Sequence, residues 1–152
     1  IIDSSDTGFW MKSEKMVGGH QVIQGIIVNL QPYTSSDIFS SEEMLLSRDE
    51  LTKGYITGMG EGSFMKVFSE YPLKADTAKV NGLYAVEYRG LWNMKNDFMG
   101  GPFLHYTVLD EKNNRIIQLD GFVYAPKFKK RGYIKELEAI LTTIQVVEKK
   151  DQ

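Results

Sequence analysis

Residues 89–126 constrain the fold more than any other stretch. They read RGLWNMKNDFMGGPFLHYTVLDEKNNRIIQLDGFVYAP. Three strand-like runs follow one another here, joined by a glycine-rich loop and a polar turn. Connections this short make neighbouring strands antiparallel, because a parallel pair needs a crossover of about a dozen residues or more.

The clearest hairpin pairs residues 103–109 with 115–124 around Asp110-Glu111-Lys112-Asn113-Asn114, whose asparagines tolerate positive φ. Alternation in the second run sends Ile117, Leu119 and Val123, with Gly121, toward the core. Ile116, Gln118, Asp120, Phe122 and Tyr124 point the other way. The run 82–92 precedes this hairpin. Tyr84, Val86 and Tyr88 give it one half-buried face, while Glu87 and Arg89 share the other and can pair there.

Upstream, residues 9–12 and 22–30 form a hairpin around Gly18-Gly19, ending before Pro32. Ser40 followed by Glu43 starts a helix with a capping box. Met44, Leu45, Leu46 and Leu51 supply its imperfect apolar face, and Gly54 closes it in a left-handed conformation. A mobile loop, Gly58-Met59-Gly60-Glu61-Gly62, leads to a short strand at 64–69. Residues 73–81 read as connection, with Asn81-Gly82 as a turn. A last helix is predicted over 131–147, with Ile134, Leu137, Leu141 and Ile144 in one stripe. Residues 1–8 and 148–152 read as loose ends. The whole, 1–152, is one α+β domain of order β-β-α-β-β-β-β-α: an antiparallel sheet of five to six strands covered by two helices.

Composition narrows the function. A net charge of −2 argues against a nucleic-acid surface, because binding a phosphate backbone needs a concentrated positive field. The one basic run, Lys127-Phe128-Lys129-Lys130-Arg131, reads as a solvated lead into the last helix, with an anion or headgroup contact as the sharper alternative. With no cysteine, thiolate catalysis and Cys-ligated zinc are excluded. His20 and His105, the only histidines, lie far apart in sequence and form no metal-ligand motif. The Gly58-x-Gly60-x-Gly62 loop is neither a dinucleotide fingerprint nor a Walker loop, and no Gly-x-Ser-x-Gly elbow exists. No cofactor and no metal are expected.

The segment 92–103 is the best candidate surface. It puts Trp92, Met94, Phe98 and Met99 beside Gly100, Gly101 and Pro102. So much apolar content is unusual for a loop. The side chains either fold back to close the end of the sheet or present a contact patch. Gly100-Gly101 would supply the φ freedom to reverse the chain. His105 is either a strand histidine with one satisfied hydrogen bond or a polar group in a pocket.

The residues of this region resemble a known family. Arg89-Gly90-Leu91-Trp92, Met99-Gly100-Gly101-Pro102-Phe103, Gly121-Phe122-Val123-Tyr124-Ala125-Pro126 and Leu137-Glu138-Ala139-Ile140-Leu141 carry the likeness. Pro32-Tyr33, Arg48-Asp49 and Gly62-Ser63-Phe64-Met65 agree more loosely, with Phe64 standing where a tyrosine is expected. The chain resembles the Bacteroidetes lipoprotein family called domain of unknown function 4837, from about Phe9 onward. The resemblance implies the C-terminal part of a longer, lipid-anchored envelope protein, periplasmic or at the cell surface, its anchoring cysteine upstream. A start at Ile1 fits a trimmed piece. The resemblance carries over no catalytic residue. In element order alone, the chain is also similar to the Mog1/PsbP-like sandwich, which speaks to fold and not to function.

Two functions are weighed. One is a non-enzymatic envelope module binding a protein partner or an apolar ligand through Trp92, Phe98, Met99, Gly100, Gly101, Pro102 and His105. The other is a small hydrolase or carbohydrate-acting enzyme using His105 or a strand carboxylate such as Glu87. No nucleic acid is expected as a partner, and the membrane only through an anchor outside this chain.

Overall fold

A computed structural model describes residues 3–5 and 7–147. Among them an antiparallel sheet forms in the order β1-β2-β3-β8-β7-β6-β4, with β5 also paired to β6. The strands are β1 (Asp3–Ser5), β2 (Gly8–Val17), β3 (His20–Pro32), β4 (Met65–Val67), β5 (Lys74–Val80), β6 (Leu83–Met94), β7 (Gly100–Asp110) and β8 (Arg115–Tyr124). Two helices, α1 (Ser41–Tyr55) and α2 (Arg131–Leu141), complete the α+β fold.

The turns follow from local chemistry. Gly18 and Gly19 both take positive φ, so a two-residue turn joins β2 to β3 with the twist that a hairpin needs. Asn81-Gly82 does the same between β5 and β6. The β7–β8 turn closes on Asn114 at φ 49°. Inside that turn the buried Asp110 accepts from Asn113 and from Arg115 Nε, both at 2.7 Å.

Several expectations change. Asp3–Ser5 pair with β2, so the first residues are not all a loose end. Residues 148–152, expected loose, lie outside the described residues. The segment read as connection is strand β5; it lacks an apolar face because it lies on an exposed edge and is held by its ladder to β6. Gly54 lies inside α1, which runs on to Tyr55 and hands its last bond to Ile56. The last helix stops at Leu141, not 147. There Thr142 Oγ1 donates to the Glu138 carbonyl at 2.8 Å and Thr143 Oγ1 to the Ile140 carbonyl at 2.6 Å. Hydroxyls bonding locally to backbone in this way compete with helix propagation.

Each helix covers one face of the sheet. Leu137 and Leu141 of α2 pack on Ile26, Leu104, Leu119 and Val123. Met44 of α1 packs with Met65, Tyr88, Trp92 and Phe103 on the opposite face. The second face of β8 is therefore buried too: Ile116, Gln118, Asp120 and Phe122 lie beneath the α1 layer.

Candidate functional site: an aromatic and methionine groove beside a buried charge cluster

The inward side of α1 is not an apolar stripe. Its buried residues are Met44, Arg48, Leu51 and Thr52, while Leu46 faces solvent. Ser40 starts the helix as expected, its Oγ accepting from Glu43 N at 3.2 Å. About two turns further, the helix carries Arg48 into the sheet. There Arg48 Nε and Nη2 bind the two oxygens of Asp120 at 2.6 and 3.1 Å, and the guanidinium lies 3.8 Å over the Phe103 ring.

Asp120 is shared. The register of β7 and β8 sets His105 directly across from it, with Nδ1 at 2.8 Å from Oδ2. Burial alone would push the Asp120 carboxyl up, but the Arg48 guanidinium and the His105 hydrogen bond hold it below the usual carboxylate range. The carboxylate is thus ionised and acceptor-only, so the hydrogen between the two rests on Nδ1. Arg48, His105 and Asp120 are all fully buried. His105 Nε2 and Arg48 Nη1 have no hydrogen-bond partner among the described residues. His105 is therefore neither a pocket wall nor a solvent-facing base. It is a strand histidine with one satisfied hydrogen bond.

Glu87, the other proposed acid–base group, is also engaged. Arg89 Nε reaches one of its oxygens at 2.6 Å and Tyr106 OH the other at 2.9 Å, while Arg89 Nη2 bridges to Glu138 of α2 at 3.0 Å. Burial would raise the Glu87 carboxyl, and the Arg89 and Tyr106 hydrogen bonds bring it below its ordinary value. This cluster ties α2 to the sheet.

The segment 92–103 is mostly not a loop. Trp92 and Met94 belong to β6 and are buried; Gly100, Gly101 and Pro102 open β7. The reversal falls on residues 95–99, and it is Asn96, at φ 60°, that takes the left-handed conformation. Neither Gly100 nor Gly101 has positive φ. Gly101 is required for another reason: a Cβ there would lie 2.0 Å from the Val123 carbonyl oxygen. Phe98 stands fully exposed at the tip, its N–H donating to the Asp97 side chain at 2.7 Å.

Trp92 donates from Nε1 to the Val123 carbonyl at 3.2 Å, which locks the indole against Phe122 in an edge contact at 5.9 Å. With Met99 it forms one wall of a groove of about 320 Å³. Trp10, Ile23, Phe122 and Tyr124 extend that wall from β2, β3 and β8. Met59 and Met65 close it from the α1 side, and Lys12, Glu14 and Gln21 stand on its polar side. Of the residues expected at a surface, the structure brings Trp92, Met94 and Met99 into this groove, and not Phe98, Gly100, Gly101, Pro102 or His105. Trp10, Ile23 and Tyr124 were missed. The alternation of Trp10 with Lys12 and Glu14 placed them on one strand face, but only the sheet order carries that face toward Trp92.

The family profile described as Domain of unknown function (DUF4837) matches residues 1–143. The chain belongs to this family. No curated protein matches it. In this DUF4837 domain the quoted family residues are mostly structural: Trp92 and Phe122 build the wall of the groove, Gly101 leaves room for the Val123 carbonyl, and Leu137 and Leu141 seat α2.

Proposed function

We propose that this domain binds a small apolar ligand in the groove between β2–β3 and the β6–β7 hairpin, as a non-enzymatic module of a lipid-anchored envelope protein. The observation that carries the binding is the lining of the groove. Two tryptophans, Phe122 and Tyr124 offer rigid apolar surface, and four methionines (Met59, Met65, Met94 and Met99) offer adaptable surface. The charged and amide side chains Lys12, Glu14 and Gln21, which come from β2 and β3, suit a ligand with one wet end. The volume lies at the low end of small-molecule sites, which run from about 300 to 1,000 Å³. A recess of this kind favours a small ligand over a flat protein partner. Family membership supports the envelope reading, through the resemblance that carries the anchor and the compartment. A hydrolase through His105 or Glu87 is disfavoured, because the first has no exposed surface and both oxygens of the second are bound.

The chain has only two tryptophans and both line the groove. Occupancy is therefore readable by energy transfer from indole to the neutral probe N-phenyl-1-naphthylamine. A saturable transfer signal is expected from the folded protein. Met99→Arg, a half-buried change at the mouth of the groove, should abolish it without altering the thermal midpoint. An unsaturable signal, or equal binding by Met99→Arg, would refute the assignment.

A further inference from the structure

A second recess lies on the α2 face, where the outer edge of β6 changes partner. Strand β5 pairs with β6 as far as Arg89, and β4 resumes at Trp92. Gly90 and Leu91 fall in the gap, bridged only by Phe68 N–H donating to the Leu91 carbonyl at 2.8 Å. Together with Pro102 and Ile134 they give the recess, of about 340 Å³, an apolar floor.

Its rim is cationic. Lys74, Arg89, Lys130 and Arg131 line it, with Tyr71, and no carboxylate does. That is a local concentration of one sign in a chain of net charge −2. Arg89 is neutralised by Glu87 and Glu138, and Lys130 donates to the Phe128 carbonyl at 2.9 Å. Lys74 and Arg131 are exposed and make no ion pair among the described residues. Register brings Lys74 directly opposite Arg89, whose two carboxylate partners are already engaged with it, so the Lys74 charge is left unbalanced. The start of α2 reinforces the field. Its cap residue, Lys130, makes no side-chain cap, and its first turn holds no acid. Cations at a helix start oppose the helix dipole. A bound anion would offset the unpaired charges of Lys74 and Arg131 beside this helix start.

We infer that this recess binds an amphiphile with a phosphate head, its apolar body on Gly90, Leu91, Pro102 and Ile134 and its head between Lys74 and Arg131. A phosphate fits better than a single-charged head because several cations converge and an arginine can meet two of its oxygens. The inference is independent of the groove on the α1 face.

Calorimetry with dodecyl phosphate below its micelle concentration tests it. One saturable site is expected. Lys74→Glu with Arg131→Glu, both exposed positions, should weaken it about tenfold or more, while Met99→Arg leaves it unchanged and dodecanol binds more weakly. Equal binding by the charge-reversed variant would move the ligand to the other face and overturn the inference. So would inorganic phosphate binding as tightly as dodecyl phosphate, which removes the role of the floor. Binding to vesicles containing anionic phospholipid with none to monomeric dodecyl phosphate would also overturn it, because the contact would then be a membrane surface and not a site.

Discussion

The two faces of this sheet are covered by two different methods. On one, α2 lays Leu137 and Leu141 on a field of branched aliphatics. On the other, α1 drives Arg48 through the interface to a carboxylate on β8. An aliphatic contact is non-directional and tolerates sliding. A bidentate guanidinium–carboxylate pair has one geometry and one register. The charged face therefore fixes where α1 sits, and with it the loop carrying Met59 over the groove. The aliphatic face supplies burial, with the part-exposed Arg89–Glu138 pair at its margin.

Removing one member of the charged set should have the largest effect. Arg48→Met leaves Asp120 buried with only His105, and a loss of about 3–5 kcal/mol in urea unfolding is expected. The double change Arg48→Met with Asp120→Leu should recover part of it, since no charge is then stranded. Leu137→Ala on the opposite face should cost about 2–5 kcal/mol through the cavity it leaves, and no partner substitution should restore it in the same way. A double variant no more stable than Arg48→Met would mean that the two faces are held alike.

Acid separates the faces next. Asp120 titrates below its ordinary value in the fold, so its contribution is full above the unfolded carboxylate range, about pH 3.9, and is lost as pH falls through the lower folded value. Asp110 and Glu87 are shifted in the same direction. The urea midpoint should fall steeply below about pH 4. With Asp120→Asn that slope should flatten, although stability at neutral pH is lower. An unchanged slope would take Asp120 out of the acid transition.

The smallest effect belongs to the exposed hairpin tip. Phe98→Ala should alter stability by no more than about 0.5 kcal/mol and leave the groove's probe affinity as it was, because Phe98 touches neither layer. A change in probe binding would extend the site to the tip.

These differences also explain what could be read in advance. Hairpins built on Gly18-Gly19, Asn81-Gly82 and Asn114 announce themselves, because few residues accept positive φ. The stripe of α2 is legible for the same local reason. The charged face is not. Arg48 occupies a position where helical periodicity asks for an aliphatic, and His105 meets Asp120 only through a cross-strand register fifteen residues apart. Strand β5 hides because an edge strand needs no apolar face. The groove is hidden most deeply, since its walls come from separate strands and become neighbours only when β8 inserts between β3 and β7.

The rims of the sheet carry a last consequence. One rim ends in β1, three residues long; the other is shared by β4, also three residues, and β5, which reads Lys-Ala-Asp-Thr-Ala-Lys-Val. A long, flat, apolar rim would be a template on which a second chain could add a strand. Here β1 and β4 are short, and β5 carries charges at Lys74, Asp76 and Lys79. The edges of this sheet therefore offer little continuous apolar backbone for another strand, in contrast to the apolar lining of the groove beside Trp92.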